Sequence, residues 1–197
     1  MAAAQNAKIG GDRNSVITVN GHKITVARPG VTTGSFLSTN KDGMYTIANG
    51  DGSNLSYVRF GSQTDFNTVS DHYVFALGSL TPTSGSNAVP ASGKATYSGL
   101  AAFGYDNLTF GTGASEFTVD FGKKTINGSV SSGGGTFTVP LSGTISGNSF
   151  SGVKNNVSMK GNFYGPKAAE LAGVYKGEAT LNNPLTPVMG SFGAKKQ

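Results

Sequence analysis

Cysteine and tryptophan are absent from the chain, and histidine occurs only twice. The lack of cysteine excludes disulfides, thiolate metal sites, iron–sulfur clusters and a lipid-modified cysteine within the sequence. Charged residues make up 13% of the 197 residues. No apolar run approaches the roughly 20 residues that a transmembrane helix requires. We therefore expect a freely soluble, secreted protein that does not insert into a membrane.

The N-terminal segment and the charge distribution narrow the class of protein further. Residues 1–6 lack the basic and apolar regions of a signal peptide, so we expect a mature N-terminus from which the signal peptide has been removed. The net charge of +5 is scattered, without aromatic residues interleaved along a basic stripe. Nucleic acid is therefore not a predicted partner.

The chain lacks the residue combinations of common enzymes. It contains no Gly-x-Ser-x-Gly motif, and Asp71 and its neighbour His72 point to opposite faces of a predicted strand, where they cannot form a direct dyad. The glycine run 133–135 is not followed by Gly-Lys-Ser/Thr, which indicates a hairpin tip and not a phosphate-binding loop. We predict that the chain is not an enzyme.

Glycine and small polar residues dominate what is present. Thirty glycines and many serine, threonine and asparagine residues are typical of an all-β extracellular protein. Asn20-Gly21 lies between two β-branched runs, the strongest short signal for a β-hairpin. Residues 81–90 have the composition of a linker, so we predict two domains, 1–90 and 91–197.

The second predicted domain has the spacing of a barrel. Phe117, Val119 and Phe121 alternate with polar residues, as they would on a strand with one buried face. About eight such strands fit between Ala95 and Phe192, and about eight is the number at which interior side chains just fill a barrel. We therefore predict a filled barrel and assign function to residues 1–90 or to outer surfaces.

A short break in the β pattern carries the most specific signal. Gly165-Pro166 ends a strand, and Pro166 suits the first position of a helical turn that continues to Leu171. The surrounding pattern consists of Gly161, Phe163, Gly165, Pro166, Ala168, Glu170 and Gly173. It resembles the signature of the small β-barrel in the lobes of transferrin-binding protein B, which the hemophilins share. The resemblance implies a small N-terminal β-rich ligand-binding domain followed by an eight-stranded antiparallel β-barrel.

Haem is the ligand that the remaining residues suggest. Both histidines, His22 and His72, fall in the N-terminal half, together with many aromatic residues. Haem requires an apolar slot and one or two imidazole ligands to its iron. Aromatic residues in strands are also the ordinary material of a core, and the sequence leaves that alternative open.

The resemblance to the hemophilins implies a secreted hemophore of Gram-negative bacteria. Such a protein would bind haem b for iron acquisition and deliver it, as a monomer, to an outer-membrane TonB-dependent haem receptor after passing an outer-membrane export translocon. We predict His22 and His72 as iron ligands, with one or both binding. The predicted pocket wall is Met44, Tyr45, Tyr57, Phe60, Tyr73 and Phe75. The candidate partners of the propionates are Lys23, Arg28, Lys41 and Arg59.

The same resemblance supports an alternative function. Relatives of this barrel engage host proteins, so the chain is alternatively a host-protein-binding module for transferrin or a complement regulator. In that case loops and a sheet face, and not an enclosed pocket, would carry the function.

Overall fold

A computed structural model describes residues 3–6, 8–12, 15–25, 35–67, 71–104, 110–177 and 189–197. The fold is all-β, with 68% strand and 4% helix, which confirms the predicted class. None of the helices in the described part of the chain is long and apolar enough to span a bilayer.

Two sheets form the N-terminal part. The strands are β1 (Ala3–Asn6), β2 (Ile9–Asp12), β3 (Val16–Val19), β4 (His22–Thr25), β5 (Phe36–Lys41), β6 (Met44–Asn49), β7 (Val58–Asp65) and β8 (Asp71–Gly78). A five-stranded sheet has the order β1-β8-β7-β6-β5, in which β1 is parallel to β8 and the other pairs are antiparallel. A three-stranded antiparallel sheet has the order β2-β3-β4.

The predicted hairpin at Asn20-Gly21 is present between β3 and β4. Both residues have positive φ, 49° and 85°, as a tight two-residue turn between twisted strands requires. The apolar side chains of the hairpin pack onto the five-stranded sheet in one buried cluster made of Ile17, Val19, Ile24, Ala48 and Phe75. The three-stranded sheet thus covers one face of the larger sheet.

The C-terminal part is a closed antiparallel barrel, as predicted. Its strands are β9 (Lys94–Gly104), β10 (Phe110–Asp120), β11 (Thr125–Ser132), β12 (Thr138–Ser146), β13 (Ser149–Lys154), β14 (Val157–Tyr164), β15 (Glu170–Gly177) and β16 (Met189–Lys196), with β16 pairing back to β9. Phe150, Phe163 and Phe192 are among the rings that fill the interior, with Phe150 centred 5.4 Å from Phe163 and 6.4 Å from Phe192. The barrel is a packed core.

Two 3₁₀ turns interrupt the strands, Asp51–Ser53 and Pro166–Ala168. The second begins at Pro166, as predicted, but it does not continue to Leu171, because β15 begins at Glu170. The turn is shorter than predicted because Glu170 begins to pair with Lys195 of β16 immediately. This early return to strand places the Glu170 side chain at the edge of the barrel.

The segment predicted to be a linker is docked on the barrel. The Thr81 hydroxyl donates to the Gly165 carbonyl at 2.6 Å, and the Lys167 amide donates to the Asn87 carbonyl at 2.8 Å. Val89 packs against the barrel core. The segment therefore caps one end of the barrel, and the division into two domains near residue 90 stays a prediction.

Gly193 of β16 allows close contact between the five-stranded sheet and the barrel. A Cβ atom at this position would lie 2.5 Å from Phe60 Cδ1 and 2.9 Å from Leu55 Cδ1. We expect Gly193→Ala to lower the free energy of unfolding in urea by about 1–3 kcal/mol, because the added methyl overfills this contact. Gly134→Ala is the control, since nothing lies within 4 Å of its added Cβ. Equal stability of the two variants would contradict the described contact.

Candidate functional site

The five-stranded sheet packs on the outside of the barrel through a buried apolar cluster. Leu55, Val58 and Phe60 from the sheet side contact Tyr164 and Ala172 of the barrel. Phe60 is 0% exposed. This contact fixes the sheet on the barrel wall, on the face opposite the three-stranded sheet.

A buried carboxylate joins the two parts at the same place. Glu170 is 1% exposed, and its two oxygens accept the backbone amides of Ser56 at 2.6 Å and Tyr57 at 2.8 Å. Burial raises the pKa of this carboxyl, while backbone hydrogen bonds and the Lys195 charge oppose the rise. The loop before β7 is thereby attached to the start of β15, more than a hundred residues away in sequence.

Further hydrogen bonds extend this junction. The Ser191 hydroxyl of β16 donates to the Gly61 carbonyl of β7 at 2.8 Å. Asn49 accepts the Phe60 amide at 2.7 Å and donates to the Val58 carbonyl at 3.1 Å. Such buried, mutually satisfied polar groups specify one position of the sheet relative to the barrel.

The structure places the two predicted iron ligands on different sheets. His72 on β8 is 2% exposed, and its Nδ1 lies 2.9 Å from the hydroxyl of Thr64 on β7. It faces the barrel, because a Cβ at Gly104 would lie 3.5 Å from this nitrogen. His22 is half-buried on β4, in the sheet that covers the other face. The structure does not bring the two imidazoles together.

The six predicted wall residues do not enclose a common slot. Phe60 belongs to the junction with the barrel, whereas Phe75 belongs to the core under the three-stranded sheet. Met44 is buried, and Tyr45, Tyr57 and Tyr73 are half-buried. Phe60 and Phe75 therefore supply two separate cores, the alternative that their strand positions had left open.

The predicted propionate partners are equally scattered. Arg59 is buried and pairs with Asp51 at 2.6 Å. Lys23 and Lys41 are exposed, and Arg28 lies outside the described residues. Among the residues that the structure describes, no group of three His, Cys, Asp or Glu side chains could hold a metal ion.

An exposed aromatic residue marks the tip of the five-stranded sheet. Phe66, at the end of β7, is 48% exposed, and its amide donates to the Gly43 carbonyl at 2.9 Å. Asn67 donates to the Asp42 carbonyl at 2.7 Å and its amide donates to Asp65 at 2.8 Å. The tip therefore presents an aromatic ring on a backbone that local hydrogen bonds hold in place. We define residues 41–43 and 65–67 as the sheet tip.

A groove runs between the five-stranded sheet and the barrel. It has a volume of about 480 Å³ and is lined by Val74 and Ala76 on the sheet side and by Lys160, Asn162 and Gly173 on the barrel side. Neither histidine lines it. Of the six predicted wall residues, Phe75 lines this groove. Sequence reasoning missed the rest of its lining and the sheet tip, because each depends on how distant strands are placed.

The structure defines the class of protein as a β-sheet unit fixed to the outside of a filled eight-stranded barrel. The family model for the C-lobe and N-lobe β-barrels of transferrin-binding protein B matches residues 89–196. The chain belongs to this family.

The similar proteins agree on this family. Transferrin-binding protein B of Moraxella catarrhalis is 32% identical over 81% of this chain, and that of Haemophilus influenzae is 29% identical over 73%. The chain spans only 27% and 31% of those two relatives. A crystal structure of transferrin-binding protein B from Haemophilus parasuis matches 93% of this chain and 41% of its own, with 26% identity and a TM-score of 0.66.

The resemblance to the barrel of transferrin-binding protein B is confirmed, and the haem prediction is wrong. The relatives are named for binding transferrin, and the two predicted iron ligands lie on different sheets. The predicted roles as a haem-binding hemophore with haem b as cofactor, and the predicted partners haem, haem receptor and export translocon, are overturned by these findings. Membership of the hemophilins is not shown.

Removing the Glu170 carboxylate tests the junction. We expect Glu170→Ala to lower the free energy of unfolding by about 1–3 kcal/mol, because the Ser56 and Tyr57 amides lose their acceptors. In limited proteolysis, the loop before β7 should then be cut faster in Glu170→Ala than in the wild type. Glu116→Ala removes an exposed carboxylate of the barrel and should change stability by less than about 0.5 kcal/mol. Identical behaviour of both variants would rule out a role for Glu170 in joining the two parts.

The raised pKa of Glu170 also predicts the sign of a pH effect. A carboxyl whose pKa is higher in the folded than in the unfolded state stabilises the fold when protonated, and this contribution is lost as the pH rises through the folded pKa. Between pH 7 and about pH 4, the stability of the wild type relative to Glu170→Gln should therefore increase as the pH falls. Urea unfolding of both proteins at several pH values measures this difference in stability. A difference that becomes smaller as the pH falls would contradict the described burial.

Proposed function

We propose that this chain is a host-protein-binding lobe whose acceptor is a transferrin-class iron-transport protein. The observation that carries the proposal is the 32% identity with transferrin-binding protein B of Moraxella catarrhalis over 81% of the chain. The chain spans only 27% of that relative, so we propose that this segment by itself binds the acceptor. The lobe would contribute to iron acquisition by binding a protein, without chemistry of its own.

The fixed position of the five-stranded sheet supports a binding role. Association is stronger when the binding surface does not have to be ordered on contact. The Glu170 hydrogen bonds and the cluster around Phe60 hold the sheet on the barrel before any partner arrives. The sheet can therefore present its tip to a large protein with little conformational cost.

The sheet tip has the features of an interface anchor. Aromatic residues held in a defined geometry dominate the energetics of many protein interfaces. Phe66 is exposed, and the hydrogen bonds of Asn67 order the loop around it. We propose the tip as the main contact with the acceptor protein.

An extracellular location follows from the same proposal, because a host iron carrier is met outside the cell. One structural neighbour is a surface lipoprotein that matches 98% of this chain at 19% identity and a TM-score of 0.53, which shows the shared fold alone. We propose a surface-exposed lobe, in place of the freely secreted carrier first expected.

Binding to immobilised transferrin, measured by surface plasmon resonance, tests the proposal. We expect wild-type protein to bind, and Phe66→Ala to weaken the affinity about tenfold or more, as hot-spot truncations do. Val153→Ala is the matched control, because Val153 is an apolar residue that is 71% exposed on the barrel. Its affinity should equal that of the wild type.

Two outcomes would count against this reading. Absence of binding by the wild type to transferrin in both iron-loaded and iron-free forms would overturn the proposed acceptor. Equal binding by wild type and Phe66→Ala would leave the acceptor in place and remove the sheet tip as its contact.

A further inference from the structure

Lysines are concentrated at one end of the barrel, the end that residues 81–92 cap. Six of the 15 lysine and arginine residues of the chain lie there, at strand ends or in the turns between strands. We call this set the lysine face: Lys94, Lys123, Lys124, Lys167, Lys195 and Lys196. The same strand ends carry two acidic residues, Asp120 and Glu170.

The topology explains why these residues meet. In a closed antiparallel barrel, the start of one strand lies beside the end of the next. Lys94 begins β9, Lys123 and Lys124 precede β11, and Lys195 and Lys196 end β16, which pairs with β9. In the sequence these lysines lie far apart, as two adjacent pairs and two single residues. The closure of the barrel brings them to one end.

The acidic residues offset only part of the charge of the lysine face, through Glu170 near Lys195 and Asp120 near Lys94. Glu170 is buried and directed at the amides of Ser56 and Tyr57. Asp120 lies 3.8 Å from the Lys94 ammonium. The described side chains of Lys123, Lys124, Lys167 and Lys195 are exposed. The end of the barrel therefore presents a positive surface to solvent.

Two of these lysines occupy backbone positions that disfavour lysine. Lys124 and Lys167 have φ of 56° and 55°, in the left-handed region that Gly and Asn adopt most readily. Of the eight described non-glycine residues with positive φ, five are Asn or Asp, and the two lysines both lie on this face. Asn at either position would relieve this backbone strain and remove the charge, so the two positions allow the charge to be tested without loss of stability.

The Lys167 backbone is held in place. Its amide donates to the Asn87 carbonyl at 2.8 Å, and its carbonyl accepts the Lys196 ammonium at 2.6 Å. The Lys196 ammonium also lies 5.5 Å from the centre of the Phe121 ring, so this side chain packs against the end of the barrel. The Lys167 side chain is left exposed on a fixed turn.

We propose that the lysine face docks on a membrane surface that bears phosphate headgroups. The face contains lysine and no arginine, and lysine acts as a hydrated point charge suited to a diffuse layer of phosphates. Protein interfaces, by contrast, are depleted of lysine and are anchored by Trp, Tyr and Arg. Tyr97 and Phe121, the two rings that Lys196 approaches, are buried in the barrel. Electrostatic docking without insertion therefore fits the face better than an acidic protein partner does.

This inference is independent of the proposed acceptor protein. It concerns the end of the barrel, whereas transferrin-class binding is assigned to the sheet tip. A variant of the lysine face that loses membrane binding should keep its affinity for transferrin, so that each proposal can fail alone.

Cosedimentation with vesicles tests the proposal. Wild-type protein should sediment with vesicles of phosphatidylcholine and phosphatidylglycerol in equal parts, should not sediment with pure phosphatidylcholine, and should be released by added salt. Lys124→Asn with Lys167→Asn should lower the partition coefficient about tenfold or more, because each lysine near an anionic surface contributes to binding. Since Asn tolerates positive φ, this double variant should melt at the wild-type temperature or above it.

The matched control removes two lysines from the barrel wall. Lys160→Asn with Lys176→Asn changes the net charge by the same amount at exposed positions on β14 and β15. Its partition should stay close to that of the wild type. Equal losses of vesicle binding in both double variants would mean that binding depends on the net charge alone. That result would overturn the docking face. Failure of the wild type to bind the anionic vesicles would overturn the proposal and leave an acidic protein as the partner to test.

Discussion

A single buried carboxylate holds the two parts of this molecule in register. Glu170 stands at the start of β15 and accepts the amides of Ser56 and Tyr57, which lead into β7. Burying a carboxylate is costly unless it is hydrogen-bonded, so the loop must stay in place for the carboxylate to be tolerated. The contact of Phe60 with the barrel buries apolar surface, which stabilises the junction. The position of every exposed group on the five-stranded sheet follows from this junction.

The junction also explains why Phe60 and Phe75 lie in two separate cores. The five-stranded sheet is covered on one face by the barrel and on the other by the three-stranded sheet. Phe60 and Phe75 each fill one of these interfaces, and His72 is buried beside Thr64. In the part of the chain that the structure describes, the sheet tip, the groove and the outer barrel remain available to a partner. A protein acceptor suits such surfaces better than a small enclosed ligand does.

Local signals in the sequence predicted local structure well. Asn20-Gly21 predicted its hairpin, the alternation of Phe117 and Val119 predicted a barrel strand, and Pro166 predicted the start of a turn. Long-range placement was the part that failed. Glu170 was recognised as part of a motif, yet its partners lie 114 and 113 residues away, and no local pattern indicates them. The sequence offered one sign of this contact, a lone glutamate in the apolar run that begins β15. A carboxylate buried in such a run needs hydrogen-bond donors.

Hydrogen exchange at the backbone amides of Ser56 and Tyr57 tests the central claim most directly. If the Glu170 carboxylate holds this loop on the barrel, both amides should exchange only when the junction opens, with protection close to that of the strand amides of β7. This protection should disappear in a variant without the carboxylate, while the barrel amides stay protected. Rapid exchange of both amides in the wild type, at the rate of an exposed loop, would contradict it.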